Sequence, residues 1–407
     1  MRKTGFHVCI ILCSMTLLSC TSDPKNSKEA DGASMEDRAN ELAHRFIITD
    51  GHIDLPYRLK NRMEDVSVRT ENGEFDYVRA KEGGLDAPFM SIYIPAKYQE
   101  TGGAKEVADT LIMMVEKLAK DHPDKFALAN SPDEVVANFE KGLVSLPMGM
   151  ENGAPIEDDI ANVHYFHQRG IRYITLTHGK DNQICDSSYD TTRTWNGLSP
   201  FGREVVKEMN QVGIMIDVSH ISDSTFYQVM ALSSRPVIAS HSSCRHFVPG
   251  FERNMSDDMI EKLAENGGVI QINFGSTFLD IEAQKSQDAL RDHLLSWVKE
   301  QGLEPSDPKA IAYADAYFNK NFKFSTVSKV ADHIDHVVKI AGIDHVGLGS
   351  DFDGVGNTLP EDLKDVSDYP KLILELLKRG YSEEDIEKIC YKNVFRVWRA
   401  VESQPTS

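Results

Sequence analysis

The chain has 407 residues, of which 41% are hydrophobic, so it can bury a large core as one domain of α/β-barrel size or as two ordinary domains. Its formal net charge is -19 at pH 7. Because like charges repel, so acidic a chain is a poor partner for polyanions, and we predict no nucleic-acid partner.

The first twenty residues predict an export signal. A short basic start at residues 1–3 precedes an apolar run at residues 6–18, which is shorter than the roughly 20 residues that a membrane-spanning helix needs. The run ends at Ser19 and Cys20, and it resembles the signal of a bacterial lipoprotein; a plain secretory signal is the alternative. We expect residues 1–19 to be removed. The exported protein would then be anchored by lipid on Cys20 to the bacterial cell envelope, on the periplasmic or outer-membrane side.

The rest of the chain predicts a short tether followed by one folded domain. Residues 20–35 have almost no bulky apolar side chains, which is typical of a flexible segment. No Pro/Gly/Ser-rich break or internal repeat divides residues 36–407. The cysteines of this domain form an odd, widely spaced trio that indicates buried thiols rather than a disulfide framework: Cys185, Cys244 and Cys390.

Eight short, β-branched apolar runs alternate with stretches of helical spacing. In chain order the runs are 46–55, 88–94, 143–150, 171–177, 213–218, 236–240, 267–274 and 345–350. Each is almost continuously apolar, as expected of strands buried on both faces of a parallel sheet. The alternation predicts a (β/α)8 barrel. A doubly wound open sheet is the alternative, although no Gly-x-Gly-x-x-Gly follows the first run.

Six of the eight runs end in His, Asp or Glu. The residues are His52, Asp54, Glu151, His178, His220, His241 and Asp351. A single histidine at a strand end is more often structural, and an Asp after Gly-Ser commonly caps a helix. Together, however, these side chains indicate a site, because the carboxyl ends of barrel strands converge on one mouth.

The residue types at these strand ends favour a metal centre. His52 and Asp54 point to the same side of a strand, and Glu151, His220 and His241 complete a mixed N/O set that suits zinc. A single catalytic zinc needs about three protein ligands. Five ligands fit two metals if Glu151 bridges an ion held by His52 and Asp54 and an ion held by His220 and His241. Two such ions would activate a shared hydroxide.

The same residues lie in motifs by which the chain resembles the membrane dipeptidases, or renal dipeptidase-like M19 metallopeptidases, over about residues 50–402. The motifs are DGHIDLP (50–56), RYITLTH (172–178), GLSPFGREVVKEMNQVGIMIDVSH (197–220), ASHSSCRH (239–246) followed by Arg253 and Asn254, and HVGLGSDFDG (345–354). The resemblance implies a (β/α)8 barrel that is usually dimeric. It also implies two zinc ions per subunit and hydrolysis of the peptide bond of dipeptides.

The resemblance also assigns roles to single residues. It implies that Glu151 serves catalysis as the bridging ligand and that His178 faces the scissile carbonyl, where it can donate to the oxyanion. It implies that Arg253 binds the substrate carboxylate. Asp351 is expected to serve the proton transfers or the substrate amine. Asp353 is a rival for that role, and the motif favours Asp351.

The chain departs from the family pattern at two positions near the site. Asn152 stands between the bridging Glu151 and Gly153, which predicts a reshaped loop. Gly275 stands where relatives often carry an aromatic residue, which predicts a roomier or differently filled pocket. The cysteines that crosslink animal members have no clear counterparts, so neither their disulfides nor a covalent dimer is predicted.

Two alternative functions remain open. Other metal-dependent amidohydrolases commonly begin with His-x-His and carry a lysine on the fourth strand, whereas this chain has His52-x-Asp54 and no lysine within residues 171–178. A non-catalytic lipoprotein that binds metal or peptide would be expected to lose Asp351 or a metal ligand, and the sequence retains all of them.

Overall fold

The structure is a computed structural model that describes residues 34–403. The predicted signal at residues 1–19, Cys20, and all but the last two residues of the predicted tether at 20–35 lie outside the described residues. Those predictions therefore stay predictions. Among residues 34–403, no helix combines the length and the hydropathy that a membrane crossing needs.

The strands form the centre of the domain. Within the described residues they are β1 (Ile48–Ile53), β2 (Leu85–Tyr93), β3 (Phe126–Leu128), β4 (Val144–Leu146), β5 (Met148–Glu151), β6 (Ile171–Thr175), β7 (Met215–Asp217), β8 (Ile238–Ser242), β9 (Val269–Ile272) and β10 (Val346–Leu348). Eight of them form one sheet in the order β1-β2-β5-β6-β7-β8-β9-β10, in which every neighbouring pair is parallel.

The two ends of this sheet meet, so the sheet closes on itself. Ile53 forms a parallel bridge with Phe352, just beyond β10. The Asp54 N–H donates to the Phe352 carbonyl at 2.9 Å, and the Asp351 N–H donates to the His52 carbonyl at 3.1 Å. Helices connect the strands, and the predicted (β/α)8 barrel is confirmed.

The α-helices of the described residues are α1 (Met35–Arg45), α2 (Leu55–Asn61), α3 (Tyr77–Gly83), α4 (Lys97–Thr101), α5 (Ala104–Asp121), α6 (Pro132–Glu140), α7 (Ala161–Gln168), α8 (Pro200–Val212), α9 (Asp223–Leu232), α10 (Asp257–Glu265), α11 (Ser276–Leu279), α12 (Ile281–Gln301), α13 (Pro308–Asn321), α14 (Val327–Ala341), α15 (Tyr369–Lys378), α16 (Glu383–Glu387) and α17 (Asn393–Glu402). A π-helical segment, Lys388–Lys392, joins α16 to α17.

Helix α8 shows how local sequence sets the bounds of an element. The Ser199 hydroxyl caps its start by accepting from the Gly202 N–H, and Pro200 occupies the first turn, where its missing N–H costs nothing. The helix ends at Gly213, whose φ of 91° lies in the left-handed region that glycine tolerates best. The helix that leads into β7 is therefore delimited at both ends by its own sequence.

Each predicted apolar run overlaps one barrel strand, but the third run, 143–150, is divided. Its first part forms β4, which pairs with β3 in a separate two-stranded sheet, and its second part is the barrel strand β5. Pro147 separates the two parts. Since proline has no N–H to donate to a ladder, one continuous central strand cannot run through this position.

Helices α12 and α13 form a hairpin between β9 and α14. Aromatic rings stack between them: Trp297 on Tyr313 with centroids 3.9 Å apart, and His293 on Tyr317 at 4.0 Å. Helix α12 also forms part of the wall of the cavity at the barrel mouth. The hairpin is thus an addition to the barrel that reaches the region where the strands end.

Candidate metal centre

The side chain of Glu151, at the end of β5, lies at the centre of a group of imidazoles. Its Oε1 lies 3.1 Å from His220 Nε2, 3.2 Å from His241 Nε2 and 3.7 Å from His178 Nε2. Its Oε2 lies 3.4 Å from His52 Nε2. Because these residues belong to the ends of different parallel strands, the barrel closure brings them together.

The second predicted carboxylate ligand, Asp54, lies beside His52, with 3.5 Å between Oδ2 and Nε2. Ligand atoms within 4.8 Å of one another occur here in three sets: His52 with Glu151 and His241, Glu151 with His178 and His220, and His52 with Asp54 and Asp351. All five predicted ligands therefore meet in one centre. Their division between two ions stays a prediction, and His178 and Asp351 lie close enough to take part.

The chemistry of the centre fits a bound metal. Among the described residues, the buried atoms His52 Nε2 and Asp54 Oδ1 have no hydrogen-bond partner. Leaving a buried polar atom unpaired is costly, and a cation would satisfy both atoms. Imidazole nitrogens and carboxylate oxygens are also the donor set that zinc accepts.

A buried tyrosine orients His52. The Tyr173 hydroxyl donates to the Gly51 carbonyl at 3.0 Å and lies 2.8 Å from His52 Nδ1. Since its one proton is already donated, it accepts from His52 Nδ1–H, which leaves the Nε2 lone pair facing the centre. The ring needs a glycine at 149, because a Cβ there would lie 2.0 Å from Tyr173 Cζ.

A serine and an aspartate orient His241 in the same way. The Ser240 hydroxyl donates to Asp217 Oδ2 at 2.6 Å and lies 2.7 Å from His241 Nδ1, so it accepts from that nitrogen. His220 differs, since its buried Nδ1 has no partner among the described residues. Sequence analysis missed Tyr173, Ser240 and Asp217, although all three lie within or beside the motifs that carry the ligands.

The backbone is strained where two of the site residues lie. His220 has a φ of 69° and Asp351 a φ of 63°, both in the left-handed region that non-glycine residues rarely adopt. Such conformations cost about 1–3 kcal/mol each and persist where the surroundings hold them. Here they turn the side chains toward the centre directly after β7 and β10.

Without a metal, electrostatics favour the metal-binding forms of three predicted ligands, Glu151, His220 and His241. Burial opposes ionisation of Glu151, but the neighbouring His52 and His178 and hydrogen bonds from His220 and His241 hold its pKa well below the usual range. Burial is the main cause that lowers the pKa of His220 and of His241 well below the usual value. A neutral imidazole beside a carboxylate is the state that a metal requires. At His52 burial opposes protonation, but the neighbouring Tyr173, Glu151 and Asp54 raise the pKa well above its usual value, so a metal would have to displace a proton there.

The centre opens into a cavity of about 940 Å³. Aromatic side chains form much of its wall: Tyr57, Tyr93, Tyr189, Phe251 and Phe278. Helix α12 adds polar side chains to the wall: Gln284, Gln287, Asp288 and Arg291. A small molecule with both apolar and charged parts can therefore approach the ligands.

Residues 36–406 match the family model described as membrane dipeptidase, peptidase family M19. The chain belongs to this family. It is therefore a metal-dependent hydrolase of dipeptides, and the resemblance found in the sequence is confirmed.

Relatives and solved structures agree with this membership. The chain is 30% identical over 383 residues to an uncharacterized dipeptidase of Schizosaccharomyces pombe, covering 90% of this chain and 84% of the relative. It is 32% identical over 371 residues to dipeptidase tcpJ of Claviceps purpurea, covering 88% and 78%. The structure of the probable dipeptidase PvdM from Pseudomonas aeruginosa superposes with a TM-score of 0.78 at 28% identity, covering 90% of this chain and 98% of that one.

A further solved structure shares the fold. It is a metallopeptidase from Rhodobacter sphaeroides liganded with a phosphinate mimic of the dipeptide L-Ala-D-Ala. Its TM-score is 0.71 at 24% identity, and the alignment covers 88% of this chain and 99% of that one.

In this M19 dipeptidase, two residues predicted to contact substrate border the cavity. His178 has a quarter of its side chain exposed and packs edge-on against Tyr93, with centroids 4.8 Å apart. Asp351 accepts from Asn273 Nδ2 at 2.8 Å through its Oδ2. Sequence analysis missed Asn273, although its position directly after β9 matches the other strand-end site residues.

Arg253 lies close behind the centre rather than in the open cavity. It is 3% exposed, and its Nη1 and Nη2 donate to Ser242 Oγ at 2.7 Å and the His241 carbonyl at 2.8 Å. Its buried Nε has no partner among the described residues. The guanidinium is therefore fixed in place but keeps N–H groups for a ligand.

The rival carboxylate, Asp353, is engaged elsewhere. Its oxygens lie 2.8 and 2.9 Å from Arg58 Nη1, and its Oδ1 also accepts from the Glu74 N–H at 2.7 Å. Asp353 therefore ties the loop after β10 to α2 and to the segment before α3, whereas Asp351 faces the predicted ligands.

Both departures from the family pattern have a physical counterpart in the structure. Asn152 is buried with a φ of 80°, and its Nδ2 donates to the Ile94 carbonyl at 3.0 Å. The space beside Gly275 is filled, because a Cβ there would lie 2.9 Å from Val355 Cγ1 and 3.0 Å from Phe278 Cδ2. The pocket is therefore differently filled at this position, with the Phe278 ring supplying the aromatic wall.

Proposed function

We propose that this protein is a zinc-dependent dipeptidase that holds two zinc ions per chain. The proposed ligands are His52, Asp54, Glu151, His220 and His241. The observation that carries the proposal is the Glu151 carboxylate, which lies within 3.7 Å of four imidazole nitrogens at the floor of an open cavity. A single carboxylate with one oxygen toward each group of donors is suited to bridge two cations.

Two zinc ions bound here would bring the pKa of a shared water toward neutrality and polarise the carbonyl of the scissile bond. The chain supplies the remaining functions. His178, at the cavity border, donates to the oxygen that gains charge as the carbonyl is attacked. Asn273 fixes Oδ2 of Asp351, and this leaves Oδ1 to accept a proton from the attacking water and return it to the departing amine.

Arg253 is proposed to restrict the substrate to two residues. Its guanidinium is held by Ser242 and by the His241 backbone, and its remaining N–H groups are suited to a carboxylate. A carboxylate bound there would lie one residue past the cleaved bond. A tripeptide would place an uncharged peptide group at this position and would leave the buried cation unpaired.

The test measures release of free amino acids from a panel of dipeptides and matched tripeptides, with L-Ala-D-Ala included. We expect turnover of dipeptides only, loss of turnover after dialysis against a chelator, and recovery on addition of Zn²⁺. Glu151→Gln should bind less zinc and lose most activity, whereas Glu116→Gln on the outer surface of α5 is the matched control. Cleavage that resists the chelator, or equal turnover of tripeptides, would contradict the proposal.

We also propose that the mature protein is anchored in the cell envelope by lipid on Cys20, and that it forms a homodimer as the family resemblance implies. Fractionation of cells that express the wild type and Cys20→Ala tests the anchor. The wild type should follow the membranes and the variant should not. Sedimentation of the purified domain tests the dimer, and a monomer at all concentrations would contradict it.

A further inference from the structure

A second group of potential ligands lies outside the barrel mouth. His246 follows β8, Asp257 begins α10, and His336 lies in α14, and one ligand atom from each lies within 4.8 Å of the other two. His336 Nε2 is 2.8 Å from Asp257 Oδ1. The imidazole rings of His246 and His336 stack with centroids 4.3 Å apart. None of these residues belongs to the centre described above.

We propose that His246, Asp257 and His336 form a separate site for Zn²⁺ or a similar borderline divalent cation. Two imidazoles and one carboxylate are a common zinc ligand set, and they leave a fourth position for water. Ligand atoms about 2.0–2.1 Å from one zinc ion lie closer together than the 4.8 Å limit that these three side chains meet. The side chains would therefore have to move slightly toward one another to bind the ion. His246 is exposed and is free to make that movement.

The surroundings hold the other ligands in place. The His336 side chain is only 11% exposed, while that of Asp257 is 50% exposed. Phe247 packs edge-on against both imidazoles, at 5.0 Å from His246 and 5.5 Å from His336. An apolar ring beside the largely buried His336 imidazole limits the movement of that ligand and lowers the local dielectric constant, which strengthens metal binding.

The position of the site suggests what the ion would do. His246 and Asp257 stand at the two ends of the segment that carries Arg253, and α14 supplies the third ligand. The same helix already holds the chain just before this segment, because the Cys244 N–H donates to His333 Nδ1 at 2.9 Å. A cation would therefore fasten both ends of the Arg253 segment to α14. It would act as a structural clamp rather than as part of the chemistry.

The experiment compares zinc binding by the full-length wild type and His246→Ala, using equilibrium dialysis against Zn²⁺ alone and metal analysis of the protein. We expect the variant to bind one equivalent less per chain, since an exposed side chain can be removed without unfolding the domain. Asp257→Asn should weaken that equivalent by at least about tenfold, the loss that even an outer-shell change produces. Ser256 still caps α10 in this variant.

Two controls separate this site from other possibilities. His164→Ala removes an exposed histidine that pairs with Glu208 at 2.6 Å and belongs to none of the described three-residue ligand sets, so zinc binding should not change. His241→Ala disrupts the centre in the barrel mouth but should retain the equivalent that depends on His246. Equal zinc binding by the wild type and His246→Ala throughout the titration would overturn the proposal, whatever happens at the barrel mouth.

Discussion

At the residue scale, the candidate metal centre depends on side chains that contact the predicted ligands on the side away from the cavity. Tyr173 and Ser240 each use their single proton elsewhere, so each must accept from the far nitrogen of a ligand histidine. This fixes the tautomers of His52 and His241. His220 has no such partner among the described residues; its φ of 69° turns the side chain toward Glu151 Oε1, which lies 3.1 Å from Nε2.

Removing either hydroxyl should weaken metal retention without removing a ligand. We expect Tyr173→Phe and Ser240→Ala to lose zinc to a competing chelator at about 10–100-fold lower chelator concentration than the wild type, as is typical of outer-shell changes. Tyr165→Phe is the matched control, because its hydroxyl bonds to Asp109 on the outer helices. Zinc retention equal to that of the wild type in both site variants would show that these hydroxyls do not orient the predicted ligands.

The clustering of the predicted ligands could be foreseen from sequence, whereas the side chains that contact them from behind could not. Each predicted ligand lies at the end of an apolar run, and the closure of a barrel brings strand ends together whatever the details of packing. The Tyr173 contact joins residues 121 positions apart and depends on how deeply a ring fits beside Gly149. No local pattern contains that information.

At the element scale, the α12–α13 hairpin is the part of the fold that the sequence did not reveal. The barrel strands are almost continuously apolar, so each stands out from its neighbours. Helix α12 buries only Ala283 and Leu290 of its 21 residues, so its apolar face is too sparse to signal a packed element. The division at Pro147 was readable in principle, because proline excludes a continuous central strand.

The hairpin should be stabilised mainly by its own small cluster, in which Leu290 packs with Ala283 and Phe322. We expect Leu290→Ala to cost about 2–5 kcal/mol locally, as for other buried leucines. Faster proteolysis within residues 281–321 should follow. KM should rise with little change in kcat, because α12 forms the cavity wall but does not touch the predicted ligands.

Leu295→Ala is the control on the same helix. Its side chain is 58% exposed, so the change should stay within about 0.5 kcal/mol of the wild type. If Leu290→Ala and Leu295→Ala are cleaved at the same rate, the hairpin does not depend on this cluster.

At the scale of the whole molecule, the two ends of the barrel have different tasks. The carboxyl ends of the strands carry the candidate metal centre, whereas residues at the amino ends are expected to affect stability rather than chemistry. Asp86 lies near the start of β2 and is 3% exposed. It accepts from the Ile48 N–H at 3.2 Å and lies 3.9 Å from Lys81 Nζ. Burial raises its pKa to about 7, although Lys81 and the Ile48 N–H act in the opposite direction.

This raised pKa makes the free energy of unfolding depend on pH. Asp86 ionises near its ordinary value of 3.8 in the unfolded chain and near 7 in the folded chain. The folded state therefore binds more protons between these values, and stability is lost as the pH rises from about 4 through 7. At about 1.4 kcal/mol per pKa unit, the loss is on the order of a few kcal/mol.

Asp86→Asn should remove this dependence while keeping an oxygen for the Ile48 N–H. We expect the Tm of the variant to rise relative to that of the wild type as the pH increases from 5 to 8, with both proteins at the same zinc concentration. Asp65→Asn is the control: this carboxylate is largely exposed, its pKa is lowered by hydrogen bonds from Ser67, and it lies 3.8 Å from His122 at the surface, so the Tm difference should change much less over the same range. A constant difference for Asp86→Asn would mean that the buried carboxylate is already ionised at pH 5, with Lys81 rather than a proton balancing its charge.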